Sequence, residues 1–482
     1  MGATSILARA SLSELNSPSY DIEEQLPWKV KMYIWLTLLL LFIILPESIA
    51  RAESKEFAVV NSNDFSQFEK SILKSFEGQT VYSLREIKTG KEITSVLGQK
   101  LVSPASVQKL ITTYAALKEL SGEFKFHTDF VFVEESLQLL IKGYGDPVMT
   151  DERLYKAADD LHRAGVRKIT KIVLDHGAFI DPKKRTGINP YQAAQTAITL
   201  NFNTVNVRGQ LVGDKKVFSK TSFSPLEFKP KVTLRNIPGV SFSEADGRVE
   251  LSLNTTTKLV EDNYAIENPD AYFAEALIGV LKLCGIETPK NYSLLEIDSK
   301  LEPLVVSSSK DLASILADMN RYSSNFIAGQ VTYQLGKEQE GKMSYERGLR
   351  TLSQFIQGQS RILDGSGLNR ENRLTASGLS QLISSAMADQ ALAPDFQASL
   401  SKFGRRGTLR TRELSYPGEE KIWAKTGTID GVSSIAGTME LKDKTLAAFV
   451  IITNGQISKS ESTAREDFIL RSFLAADFGS KH

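Results

Sequence analysis

Ser103-Pro104-Ala105-Ser106-Val107-Gln108-Lys109-Leu110 reads as the start of a helix. Ser103 suits the N-cap, and Pro104 suits the first helical position, where a missing N–H costs nothing. Val107, Leu110, Ile111 and Tyr114 recur at helical spacing, so one face should be apolar and buried. Ser106 falls in the first turn, at the positive end of the helix dipole, and Lys109 follows three residues on along the same face. A hydroxyl beside an amine there has the makings of an activated nucleophile. Spacing alone does not select it. Ser-x-x-Lys recurs from Ser71, Ser307 and Ser399, and such a pair is usually a solvated serine and lysine on an ordinary helix.

The 482-residue chain has room for roughly two to four domains. With 41% hydrophobic and 24% charged residues it should fold around an ample core. Its 58 basic and 57 acidic residues leave no excess charge to recommend a nucleic-acid partner. Cys284, the one cysteine, excludes an intramolecular disulfide and lies in an apolar run where a buried small hydrophobe is expected. His127, His162, His176 and His482 are too scattered to suggest a metal site, and no cofactor is implied.

Before the helix, the apolar run Met32–Leu45 follows Lys29 and Lys31 and precedes Ala50-Arg51-Ala52. Basic flank, apolar core and small-residue site together read as a secretory signal. The run is shorter than the roughly 20 residues of a spanning helix, so residues 1–52 are expected to be leader and signal peptide and the protein exported. The alternative is a retained anchor that keeps the protein at a membrane surface. Next come a short helix at 65–76 and a hairpin, 80–87 with 92–96, turning at Lys88-Thr89-Gly90. Strands are expected at 125–133, 137–142 and 169–174, helices at 151–164 and 268–283, and a strand-rich stretch over 201–260. Helices return at 311–319, 325–335 and 376–388, followed by a meander at 421–428, 434–441 and 445–453 and a helix at 464–476. Strands at both ends of the chain imply one sheet built from both termini, with the middle as an insertion.

Ser323-Ser324-Asn325 sits at the break between two helices, and Lys425-Thr426-Gly427-Thr428 sits in the meander. With Ser106-x-x-Lys109 they form the ordered set S-x-x-K, S-x-N, K-T-G of penicillin-binding proteins and class A β-lactamases. Each part alone is weak: Ser252-Leu253-Asn254 is a second S-x-N, and Lys88-Thr89-Gly90 a second K-T-G. Order and context leave one combination in which a helix start, an inter-helix break and a strand supply the three parts. The chain resembles the D-alanyl-D-alanine carboxypeptidase/endopeptidases among class C low-molecular-mass penicillin-binding proteins, the penicillin-binding protein 4 type. Further matching landmarks are Gly145-Asp146-Pro147, Leu200-Asn201-Phe202-Asn203, Asp364-Gly365-Ser366-Gly367-Leu368 and Arg370. The long separation of Ser106 from Ser323 suits that family, whereas class A β-lactamases place the motifs closer.

The resemblance implies an α/β fold: a penicillin-binding-protein/β-lactamase-like transpeptidase domain, an antiparallel sheet flanked by helices, with a large inserted region. We expect 53–126 and 298–482 to form the catalytic domain and 127–297 to form one or two smaller inserted domains. It implies an acyl-enzyme on Ser106, with Lys109 as a base once neutral, Ser323 as proton relay and Asn325 orienting the substrate amide and Lys109. Lys425 would offer a fixed positive charge to the substrate's terminal carboxylate, helped by Thr426 and Thr428, and Arg370 would help position substrate. Backbone N–H groups of Ser106 and Thr428 would form the oxyanion hole. Expected partners are peptidoglycan stem peptides and cross-links, and β-lactams as covalent inhibitors. Two other readings stay open: a β-lactamase with fast deacylation, and a wall-peptide-binding module with weak catalysis.

Overall fold

The structure is a computed structural model. It describes Phe76 and residues 79–212, 215–220, 229–234, 239–243, 248–253, 259–296, 301–338 and 341–476, with backbone alone for 209–261. The expected leader and signal (1–52) and all but Phe76 of the helix expected at 65–76 lie outside the described residues.

A six-stranded antiparallel sheet joins the two ends of the chain. The hairpin β1 (Thr80–Glu86) and β2 (Glu92–Val96) supplies one side. The other side comes from β14 (Ser401–Lys402), β15 (Trp423–Ile429), β16 (Val432–Glu440) and β17 (Leu446–Asn454), in the order β14-β15-β16-β17-β1-β2. The seam is β1 on β17, from Thr80 opposite Thr453 to Glu86 opposite Ala447. Period-two alternation explains why β17 is apolar on nearly every residue: both faces of the sheet are covered. Val81, Val450 and Ile452 face the helices α1 (Lys109–Leu120), α4 (Leu312–Arg321), α5 (Asn325–Leu335) and α7 (Ala376–Ala388). Tyr82, Leu84, Phe449 and Ile451 face the C-terminal helix α9 (Lys459–Ala475), against Ile469 and Phe473.

The inserted region builds a separate five-stranded sheet from β3 (His127–Val133), β4 (Gln138–Gly143), β5 (Lys171–Asp175), β12 (Tyr292–Leu294) and β13 (Val305–Ser308). Phe130, Ile141 and Leu174 pack there against Leu154 and Leu161 of α2 (Asp151–Arg163) and Phe273 and Leu277 of α3 (Pro269–Leu283). Asn268 caps α3 through Ala271 N–H at 3.0 Å, as its sequence suggested. Two three-stranded sheets fill 204–265: β6 (Thr204–Val212), β7 (Lys215–Lys220) and β11 (Leu259–Ala265), then β8 (Lys229–Leu234), β9 (Gly239–Ser243) and β10 (Arg248–Leu253).

Two expectations change here. Val305–Ser308 pairs with β3, Ser308 opposite His127, so strand pairing carries the inserted region past 297 to residue 308. Cys284 is half-buried at the C-cap of α3 rather than inside the core, because the helix ends there and turns at Gly285. Two helices were not anticipated, α6 (Tyr345–Gln354), which Ser344 caps, and the short α8 (Ala393–Ser399).

Candidate active site

The stretch around Ser106 folds differently from its reading as a capped helix. Ala105–Gln108 is a 3₁₀ turn and α1 begins only at Lys109. Ser103 caps nothing; its N–H donates to Asn454 Oδ1 at 2.9 Å, and its carbonyl accepts from Asn454 Nδ2 at 3.0 Å. Ala105 sits at φ +51°, a left-handed conformation costly for alanine and maintained by the packing around it. Ser434 on β16 donates its hydroxyl to Pro104 O at 2.7 Å, tying this turn to the sheet.

The turn stacks Ser106 over Lys109, the first residue of a helix that runs through the core. Lys109 is fully buried, and its Nζ lies 3.0 Å from Ser106 Oγ, 2.6 Å from Asn325 Oδ1 and 2.8 Å from Ser366 O. Burial holds its pKa well below the usual lysine value, and the nearby Lys425 lowers it further, opposed in part by Asp364. A neutral amine has two N–H bonds, which Asn325 Oδ1 and Ser366 O accept. Its lone pair is then left for the Ser106 hydroxyl.

Asn325 opens α5. Ser324 is that helix's N-cap, its Oγ accepting from Ile327 N–H at 3.2 Å, and Ser323 before it stands at φ +56°. Ser323 Oγ accepts from Lys425 Nζ at 3.0 Å, so the three motifs converge on one cluster. Lys425 is also buried, and burial lowers its pKa to about 7. Desolvation thus works against the fixed positive charge expected of Lys425.

Gly427 shows why the third motif needs its glycine. A Cβ there would stand 2.6 Å from Ser106 N and 3.0 Å from Val107 N, so β15 could no longer lie against the Ser106 turn. Gly427→Val should therefore cut acylation by labelled penicillin about 100-fold while Ser106 and Lys109 stay in place chemically. Wild-type acylation rates in that variant would show that the close approach is dispensable. Thr426 lies half-buried with its Oγ1 2.6 Å from Thr408 Oγ1, and Thr428 is exposed at the mouth. Arg370 does not reach the lysine cluster; its exposed guanidinium pairs with Asp430 at 2.5 Å, just past Thr428.

The roles of several contributors escaped the sequence. Asp364 shapes the loop that presents Ser366 O, accepting from the N–H groups of Ser366, Gly367 and Asn369 at 2.7, 2.5 and 2.6 Å. Thr112 Oγ1 donates to Gly365 O at 2.6 Å, fastening that loop to α1. The Asp364–Leu368 run was singled out by sequence, but not as the source of a carbonyl for Lys109. The inserted region also reaches the site: Val148, Tyr191 and Phe202 line a cavity of about 610 Å³ together with Ser323, Ser324 and Asn325. Phe202 is aimed there by three successive left-handed residues, Asn201 to Asn203, and meets Phe326 edge-on with ring centroids 6.0 Å apart. A second cavity of about 570 Å³ beside Asn325 is lined by Lys183, Arg185, Tyr345 and Asp364.

Comparison with known proteins follows the same lines. The model of the D-Ala-D-Ala carboxypeptidase 3 (S13) family matches residues 70–473. The D-alanyl-D-alanine carboxypeptidase DacB of Haemophilus influenzae is 25% identical over 439 residues, covering 83% of this chain and 89% of its own. The crystal structure of penicillin binding protein 4 (dacB) from that organism superposes with a TM-score of 0.72 at 22% identity, over 85% of this chain and 99% of the other. Its complex with a β-lactam superposes at 0.70, with the same identity and coverage. The folds are the same.

Proposed function

The chain belongs to the D-Ala-D-Ala carboxypeptidase 3 (S13) family, and from that premise we propose that Ser106 is the nucleophile of a serine D-alanyl-D-alanine carboxypeptidase that also cleaves peptidoglycan cross-links. The observation that carries the assignment is Lys109: fully buried, its pKa lowered, its two N–H groups taken by carbonyls and its nitrogen 3.0 Å from Ser106 Oγ. A lysine whose charged form is disfavoured by burial, placed beside the serine hydroxyl, is suited to accept the serine proton.

In the proposed cycle Ser106 Oγ adds to the carbonyl between two D-alanine units as its proton passes to Lys109 Nζ. The oxyanion forms against the backbone N–H groups of Ser106 and Thr428. Collapse breaks the C–N bond, and the departing amine takes a proton from Lys109 through Ser323. Water then attacks the ester and gives its proton to Lys109, which passes it to Ser106 Oγ as the acyl–oxygen bond breaks and the acid is released. Asn325 keeps Lys109 Nζ in register and offers its amide to the substrate. Lys425, Thr426 and Thr428 receive the terminal carboxylate, with Arg370 at the rim beside Asp430. A β-lactam, which presents an amide carbonyl and a carboxylate at similar spacing, acylates Ser106 and leaves slowly. The apolar run and small-residue site before residue 53 fit export to the wall where such substrates lie.

Labelled penicillin should acylate the protein at one site, and purified protein should release D-alanine from a pentapeptide. Absence of both would refute the assignment. The two lysines set a pH dependence of opposite signs. Acylation rises as Lys109 loses its proton, whereas binding of a carboxylate weakens as Lys425 loses its proton above about 7. The second-order rate for penicillin should therefore fall on the alkaline side, and that of its carboxyl methyl ester should not. Matching alkaline limbs would remove Lys425 from the carboxylate site.

A further inference from the structure

Beside the Lys425-Thr426-Gly427 strand runs a groove of about 740 Å³ whose charged lining is arginine: Arg321, Arg406 and Arg410. It is a built feature of the loop between β14 and β15. Thr408 Oγ1 lies 2.6 Å from Thr426 Oγ1, and Leu409 is fully buried beneath. Arg412 holds the loop's far end through Glu466 at 2.8 Å and Asp467 at 2.6 Å. Gly407, at φ +59°, brings the loop against α4, where a Cβ would stand 2.9 Å from Arg321 O. Arg321 shares its charge with Asp318 at 3.3 Å. Among the described residues Arg406 and Arg410 have no carboxylate partner, and both are exposed. The groove opens at Tyr322, the residue before Ser323, which is 71% exposed.

Direction gives the groove a meaning, on the assignment of Ser106 and Lys425 proposed above. Because Thr408 touches Thr426 and lines the arginine groove, a chain continuing beyond a carboxylate held at Lys425 and Thr426 would meet Thr408 and the arginines next. Terminal D-alanine ends before this point. In a cross-link the leaving amine belongs to a second peptide, which continues and carries further carboxylates. Guanidinium groups meet carboxylates with paired N–H donors, and two of them with no internal counter-ion suit an anionic strand. We infer that this groove binds the anionic second strand of a cross-linked wall peptide and directs the Ser106 site towards cross-link cleavage.

The test compares wild type with Arg406→Ala/Arg410→Ala and with the charge-keeping Arg406→Lys/Arg410→Lys. Labelled-penicillin acylation reads the Ser106 machinery and the fold in each. D-alanine release from a monomeric pentapeptide reads the site without a second strand. Cleavage of a purified cross-linked muropeptide dimer, with its carboxylates free or amidated, reads the groove. The alanine pair should lower kcat/KM for the free-acid dimer about tenfold, mainly through KM. It should leave acylation and pentapeptide hydrolysis within about twofold, and the lysine pair should recover part of the loss. Amidation of the dimer should cost the wild type about as much as the arginine substitutions do. With acylation intact, an equal loss on pentapeptide and dimer, or no loss on the dimer, overturns the groove. Failure of the wild type to acylate overturns the assignment of Ser106 on which the groove rests.

Discussion

Ser106→Ala should take up no labelled penicillin and should release D-alanine from a pentapeptide at least about 1,000-fold more slowly than wild type. Only Oγ is removed, and the backbone N–H of residue 106 survives with the left-handed residue before it. The expected change is thus in chemistry and not in fold. Lys109 Nζ loses one neighbour at 3.0 Å but keeps Asn325 Oδ1 and Ser366 O, so the buried amine remains satisfied. Intact-protein mass after incubation with penicillin is the direct readout, and unaltered melting of the variant excludes unfolding. An adduct of wild-type stoichiometry on the alanine variant would place the nucleophile elsewhere, with Ser323 the first alternative in the cluster.

Replacing Lys109 should have the next largest effect, and two substitutions separate its roles. Lys109→Met removes both the donors and the base; acylation should fall about 1,000-fold, and the stranded Asn325 and Ser366 oxygens should cost about 1–3 kcal/mol of stability. Lys109→Arg keeps donors and positive charge but cannot lose its proton at working pH. If Lys109 is the base, the arginine variant is as slow as the methionine one. An arginine variant acylating within tenfold of wild type would reduce Lys109 to an electrostatic part. Burial sharpens this comparison, since an obligate guanidinium in a fully enclosed site also carries a desolvation cost that should lower the melting temperature.

Much of the sheet was legible because strands covered on both faces read as short, nearly continuous apolar runs bounded by turns. The hairpin 80–96 and the three final strands alternate across two covered faces, which left few alternatives for β1, β15, β16 and β17. The helices 325–335 and 376–388 have the expected bounds, and in the structure Ser324 and Thr375 cap them. Capping logic misread Ser103. A serine before a proline resembles a helix N-cap, but Asn454, distant in sequence, holds the Ser103 backbone instead, and the chain makes a 3₁₀ turn first. Local propensity had no access to that partner. The helix 345–354 was not anticipated although its apolar stripe is clear in the fold, with Tyr345, Gly348 and Leu352 buried.

By itself the sequence determined which residues are proposed to carry the chemistry and the order in which they arrive: Ser106 and Lys109, then Ser323 and Asn325, then Lys425, Thr426 and Thr428. It could do so because those motifs are short and covalently spaced, and because the strands and helices that hold them declare themselves by periodicity. The tertiary structure alone decided the surroundings of the lysines. Whether Lys109 is neutral depends on how completely the α1 core excludes water and on how close Lys425 comes, and neither distance is written in local spacing. The same is true of Ser366 O, Ser434 and the arginine groove beside Thr426, all brought to the site by long-range pairing. Desolvation and close approach are properties of packed surfaces. They turn a Ser-x-x-Lys pattern that recurs along this chain into one distinct site.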